Sequence, residues 1–183
     1  VVDIGGGSTE LCWVDARKAN KIGLNGALQK VPMLNWASFP IGVVTLSEMF
    51  PERNDPDWYP QMLNYARSQL ESFKHGSKYS ELFEKDQGHL IGTSGTVTSL
   101  CAVHMNLDRY IRSIVDGAHL SRVDAIAARE RLSGLTREER SLIPCIGDGR
   151  SDLVLAGCAI MEAVWQLWPC SDMRVADRGL REG

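Results

Sequence analysis

Apolar positions in this chain come first in short strand-like runs and later at helical spacing. Val1 to Asp15 reads as a hairpin: Val-Val-Asp-Ile, a Gly-Gly-Gly-Ser-Thr turn, then Glu-Leu-Cys-Trp-Val. Residues 16 to 34 are polar and mixed, with Asn25-Gly26 as a turn signal. A strand is expected from Leu34 to Pro40, then a helix from Gly42 to Phe50 and a loop over Pro51–Pro60. Tyr59, Met62, Leu63, Ala66, Leu70 and Phe73 recur at helical spacing and predict an amphipathic helix. Gly88 to Gly92 holds a short apolar run that ends in Gly92-Thr93-Ser94-Gly95-Thr96, and a helix is expected to follow as far as Met105. Leu120–Leu132 reads as another helix, with Ser121 and Asp124 at the two capping-box positions. Ser151 to Trp168 is almost continuously apolar and predicts a buried helix that Pro169 ends. A strand, Met173 to Ala176, and the start of a helix after Arg178-Gly179 close the chain.

Strands first, then helices alternating with single strands, predict a mixed sheet covered by helices, an α/β layer architecture. At 183 residues the chain is the size of one domain with one substantial core. No apolar run reaches the ~20 residues that cross a bilayer, so no membrane partner is expected. The formal net charge of −3 argues against nucleic acid, which calls for a basic domain. A polyanion would have to be held by local backbone donors and a few cations. Cys12, Cys101, Cys145, Cys158 and Cys170 are scattered without a CxxC pair, and read as buried thiols of a reducing cytoplasm. His75, His89, His104 and His119 stand apart from one another and read as structural or exposed.

The strongest candidate site is Asp3-Ile4-Gly5-Gly6-Gly7-Ser8-Thr9-Glu10. Three glycines between two strands exceed what a hairpin turn needs. Without Cβ atoms, successive backbone N–H groups can converge on an anion, and Ser8 and Thr9 add hydroxyls at the rim. Asp3 and Glu10 bracket the loop and would repel a phosphate unless a cation lay between them. They are therefore the expected Mg²⁺ ligands and catalytic acids. A second glycine loop, Gly92-Thr93-Ser94-Gly95-Thr96, sits where a helix N-terminus would favour phosphate. Arg150 either pairs with Asp152, the reading favoured here, or anchors an anion.

Four stretches resemble the second domain of the Ppx/GppA phosphatases, the exopolyphosphatases and guanosine pentaphosphate phosphohydrolases. They are Val2–Leu11, Pro40–Leu46, Gly92–Thr96, and Arg150–Gly157 with Arg181-Glu182-Gly183. The resemblance implies the actin/hexokinase/Hsp70-like fold, of the ribonuclease H-like kind, in which two domains each bring a phosphate loop to a shared cleft. It implies a Mg²⁺-dependent hydrolase that removes terminal phosphate from inorganic polyphosphate or pppGpp. Asp3 and Glu10 match acidic positions implicated there in metal binding and catalysis. The substrate-binding set is Gly5, Gly6, Gly7, Ser8, Thr9, Gly92, Thr93, Ser94, Gly95 and Thr96. Thr45 stands where many members carry Arg, and Cys145 where Gly is usual.

Residues 1–183 are accordingly expected to form a single domain, the C-terminal half of the family's catalytic region. Both ends read as cut, with the first domain and a catalytic glutamate lying outside the chain. The piece alone is expected to be nearly inert. The implied partners are polyphosphate or guanosine pentaphosphate and that missing domain, with a homodimer left open. Two other readings stay open: a non-catalytic polyphosphate or (p)ppGpp-binding regulatory module, and an ATP-dependent kinase or ATPase domain of the same superfold.

Overall fold

The computed structural model describes residues 1–18, 32–73, 76–146 and 149–177. The Asn25-Gly26 turn, His75, Asp148 and the helix start expected over Arg178 to Gly183, Arg181 included, lie outside the described residues.

Strands β1 (Val2–Ile4) and β2 (Thr9–Val14) form the expected hairpin, with Val2 opposite Leu11, Asp3 opposite Glu10 and Ile4 opposite Thr9. Strand β3 (Met33–Phe39) extends it antiparallel to β2. Helices α1 (Val43–Met49), α2 (Trp58–Glu71) and α3 (Gly76–Glu84) follow. Strand β4 (Leu90–Thr93) then runs parallel to β1 and leads into α4 (Gly95–His104). A short α5 (Arg112–Val115) precedes β5 (His119–Ser121), α6 (Arg122–Ser133) and α7 (Arg137–Ser141). Helix α8 (Val154–Leu167) and strand β6 (Asp172–Ala176) complete the described elements. The sheet order is β3-β2-β1-β4-β6-β5, with β1, β4 and β6 parallel and the rest antiparallel. This is the expected mixed sheet flanked by helices.

Helix α8 is apolar and buried along most of its length, Glu162 and the exposed Gln166 apart, and packs against α1, α2, α4 and α6. Met62, Ala66 and Leu70 recur every four residues and give α2 the buried face that meets it. At the crossing with α4, a Cβ on Gly157 would overlap the Thr96 side chain, so glycine here sets how closely the two helices approach. Ser121 caps α6, its hydroxyl accepting from the Asp124 N–H at 3.0 Å, but the reciprocal half of the expected capping box does not form, because the Asp124 carboxylate accepts from the Ser121 hydroxyl instead. Leu120, however, belongs to strand β5 and not to that helix. Helices α3, α5 and α7 were not foreseen.

The parallel pairing of β1 with β4 positions the site. Asp3 stands opposite Thr93, so the segments that leave the C-terminal ends of both strands emerge side by side at one sheet edge. In open α/β sheets this is where ligands bind.

Candidate functional site: a phosphate cleft

A cleft of about 680 Å³ opens at that edge. Its lining includes Asp3, Gly5, Gly6, Gly7, Ser8 and Glu10 from the hairpin, Ser94, Gly95, Thr96 and Ser99 from the second loop and α4, and Arg150 before α8. The two glycine loops, far apart in sequence, thus face one space.

The hairpin loop closes with the Gly5 N–H donating to the Ser8 carbonyl at 2.8 Å. The carbonyls of Gly5 and Gly6 accept the first N–H groups of α1, from Val43 at 2.9 Å and Val44 at 2.8 Å. The C=O and N–H of a trans peptide point in opposite directions. The N–H groups of Gly6 and Gly7 are therefore turned away from α1. Among the described residues, nothing accepts from the N–H of Gly6, Gly7 or Ser8. The donors expected of an anion loop are present, and no described residue takes them up.

The steric reason for glycine differs from the expectation. None of the three has a positive φ, so the loop lacks the left-handed residue of a nest. The close approach belongs to Gly42, where a Cβ would fall onto the Gly6 carbonyl and the Gly7 nitrogen. Thr45 holds that junction, its hydroxyl accepting from the Gly42 N–H at 2.8 Å. At the position where many family members carry Arg, the threonine caps a helix.

Asp3 and Glu10 line the cleft as a cross-strand pair on the same face of the sheet. Glu10 Oε1 accepts from the Ser8 hydroxyl at 2.6 Å and the Ser38 hydroxyl at 3.0 Å. Among the described residues no donor reaches Oε2. Nor do the described residues hold any group of three or more His, Cys, Asp or Glu that could cage a metal alone. The pair does fit Mg²⁺, which is commonly held by one or two carboxylates, with water and phosphate oxygens completing the shell.

The second loop carries a strained residue and buried hydroxyls. Ser94, the N-cap of α4, has φ 98° and ψ 166°, a region normally reserved for glycine. Its hydroxyl and that of Thr93 are buried without a hydrogen-bond partner among the described residues. Arg150 lies over the start of α4, its guanidinium in contact range of Gly95, and donates to the Ser99 hydroxyl at 3.2 Å. The favoured pairing of Arg150 with Asp152 is not formed: Asp152 bonds Arg137 at 2.9 Å. Among the described lining residues, Arg150 is the cation of the cleft.

Three expected site residues stand behind the surface. Thr9 is fully buried, and its hydroxyl donates to the Ile41 carbonyl at 2.6 Å. Gly92 is a packing glycine whose Cβ would strike Met173 and Val97. Thr93 is buried beneath the loop. Ser99 was missed, although its place one helical turn after Gly95 was a usable signal. The cysteines carry no chemistry here. Cys12, Cys101, Cys145 and Cys158 are buried and Cys170 half-buried, and burial raises the thiol of Cys101 to about 11 and of Cys158 to about 12. His104 and His119 face Asp124 and Asp172, away from the cleft. No helix among the described residues is long and apolar enough to cross a membrane.

Comparison with known proteins agrees with this geometry. Exopolyphosphatase 2 of Mycobacterium tuberculosis is 27% identical over 165 residues, covering 88% of this chain and 45% of the relative. The PPX-GPPA enzyme of Aquifex aeolicus superposes with a TM-score of 0.78 at 27% identity, over 99% of this chain and 54% of that one. An exopolyphosphatase from Cytophaga hutchinsonii, 24% identical with a TM-score of 0.73, shares the fold. The chain thus spans about half the length of these relatives. With its sheet, its paired loops and all of residues 1–183 matched by the model of that family, the chain belongs to the Ppx/GppA phosphatases.

Proposed function

We propose that this chain forms the phosphate-gripping wall of a phosphoanhydride hydrolase that releases terminal phosphate from inorganic polyphosphate. One observation carries the reading: N–H groups of Gly6, Gly7 and Ser8 that have no acceptor among the described residues, the α4 N-terminus at Ser94 and the Arg150 guanidinium share a single cleft with the Asp3–Glu10 pair. Donors fixed in advance around a phosphoryl group stabilise the charge that develops as the bond breaks. Polyphosphate is preferred over pppGpp because no aromatic side chain among the described lining residues offers a stacking surface for a base. The similarity to exopolyphosphatase 2 of Mycobacterium tuberculosis favours the same substrate.

In this reading the glycine loop and Arg150 hold the terminal phosphate, and Asp3 and Glu10 hold Mg²⁺. A bound Mg²⁺ would supply neutralisation of the phosphate oxygens. Ser8 and Ser38 orient the Glu10 carboxylate. The oxygen of water bonds to the terminal phosphorus while the bridging P–O bond breaks, leaving orthophosphate and a chain one unit shorter. The family resemblance puts the base that takes the water proton in a part of the longer relatives that this chain does not span, and on this reading the 183 residues alone are nearly inert.

Phosphate release from polyphosphate by the complete protein, before and after Glu10→Gln, tests this. Turnover is expected to fall ~10²–10³-fold with the thermal midpoint retained. Binding without release, unaffected by the substitution, would instead mark a regulatory binder. Competition by ATP but not by polyphosphate would mark a kinase or ATPase.

A further inference from the structure

Arg140 is fully buried, an unusual place for a guanidinium. Nothing in the chemistry above uses it, and it does not line the cleft. Its donors nevertheless reach four separate acceptors. Nε donates to the Ser151 carbonyl at 2.9 Å. One terminal nitrogen donates to the Leu135 carbonyl at 2.8 Å and the Leu132 carbonyl at 3.4 Å. The other pairs with the Glu52 carboxylate.

Two of these contacts, to Ser151 and Glu52, lead toward the cleft. Ser151 directly follows Arg150, whose own carbonyl accepts from the N–H groups of Leu153 and Val154 at the start of α8. Fixing the Ser151 carbonyl therefore fixes the turn that presents Arg150. Glu52 lies three residues beyond the end of α1, and the first N–H groups of α1 are bonded to the Gly5 and Gly6 carbonyls. One side chain thus joins the support of the glycine loop to the support of the Arg150 turn. The planar fork of arginine bonds in several fixed directions at once, which a lysine ammonium on a flexible stem does not reproduce.

We infer that Arg140 is a positioning residue for phosphate binding, a brace that holds Arg150 and the glycine loop at a fixed spacing through Ser151 and Glu52. The inference rests on the proposed role of the cleft, and the test separates the two. Inorganic tripolyphosphate binding is measured by calorimetry for the complete protein and for Arg150→Lys, Arg140→Lys and the double variant, with thermal unfolding alongside. Arg140→Lys is expected to weaken binding ~10-fold, as loss of an outer-shell partner commonly does. The double variant is expected to lose less affinity than the sum of the two single losses, because Arg140→Lys acts in part through Arg150. Fully additive losses, or unchanged affinity in a folded Arg140→Lys protein, would overturn the brace. If Arg140→Lys does not fold, Glu52→Ala takes its place, since it keeps the three carbonyl bonds and removes the carboxylate that anchors Arg140 toward α1. A folded Glu52→Ala protein with unchanged affinity equally overturns the proposal. Absence of tripolyphosphate binding by the unaltered protein, or indifference to Arg150→Lys, would instead remove the reading of the cleft itself and the brace with it.

Discussion

Gly42 and Gly7 are both glycines of the site, yet they serve different ends. Gly42 has φ −133°, a backbone any residue adopts, but its hydrogen faces the Gly6 carbonyl so closely that a methyl has no room. Gly7 has nothing within 4 Å of where its Cβ would stand. Gly42→Ala should therefore destabilise the fold by about 1–3 kcal/mol, the usual cost of forced overpacking. Gly7→Ala should leave stability within about 0.5 kcal/mol while weakening tripolyphosphate binding, because its methyl meets only the incoming anion. Denaturant unfolding and calorimetry on the two variants read these effects separately, and equal stability losses would contradict the contrast. The sequence made the triplet conspicuous and left the critical contact obscure, because Gly42 lies more than thirty residues downstream. Arg150 was misjudged for a related reason. Asp152 is its neighbour in sequence, but the fold hands that carboxylate to Arg137.

At the scale of elements, the legible pieces were those with a sustained period. The hairpin, α2, α4 and α8 all emerged with ends displaced by a few residues at most. Strand β5 did not, because three residues are too few to display an alternation, and the buried Leu120 joined smoothly to the helical pattern that follows. Helix α3 was passed over as well, since Tyr79 is its sole fully buried apolar side chain among those described. The contact of α8 with α4 carries a consequence that neither helix reveals alone. Gly157→Ala pushes a methyl into Thr96, a lining residue on the first turn of α4. A stability loss of about 1–3 kcal/mol is expected, accompanied by weaker tripolyphosphate binding as that turn shifts. Adding Thr96→Ser removes the colliding methyl and should recover part of the stability. A strictly additive pair would show that the contact is not the cause.

For the whole molecule, the core includes thiols that must stay protonated to remain inside. Burial raises Cys158 from the ordinary thiol value of 9.0 to about 12. The unfolded chain releases this proton near pH 9, whereas the folded chain keeps it until about 12. Stability is thus fully present below pH 9 and declines as pH rises between these values, by ~1.4 kcal/mol per pH unit for this one group. Urea unfolding at pH 8, 9.5 and 10.5 should display the decline, and Cys158→Ala should flatten it. An unchanged slope in that variant would assign the alkaline loss to other groups. Fold class and cleft were readable because paired glycine loops in an α/β pattern are informative. The convergence of Arg150, Ser99 and Arg140 on the same region was not, because it depends on side chains meeting across distant parts of the chain.

The peptide planes on either side of Gly6 are rigid plates with an oxygen on one edge and a hydrogen on the other. Their oxygens are fastened to α1, so any tilt of that helix rotates the hydrogens by the same angle. In the proposed reading, grip on the anion is therefore coupled to the seating of the helix. A force applied at the far end of α1 would loosen or tighten the hold on phosphate without touching the cleft.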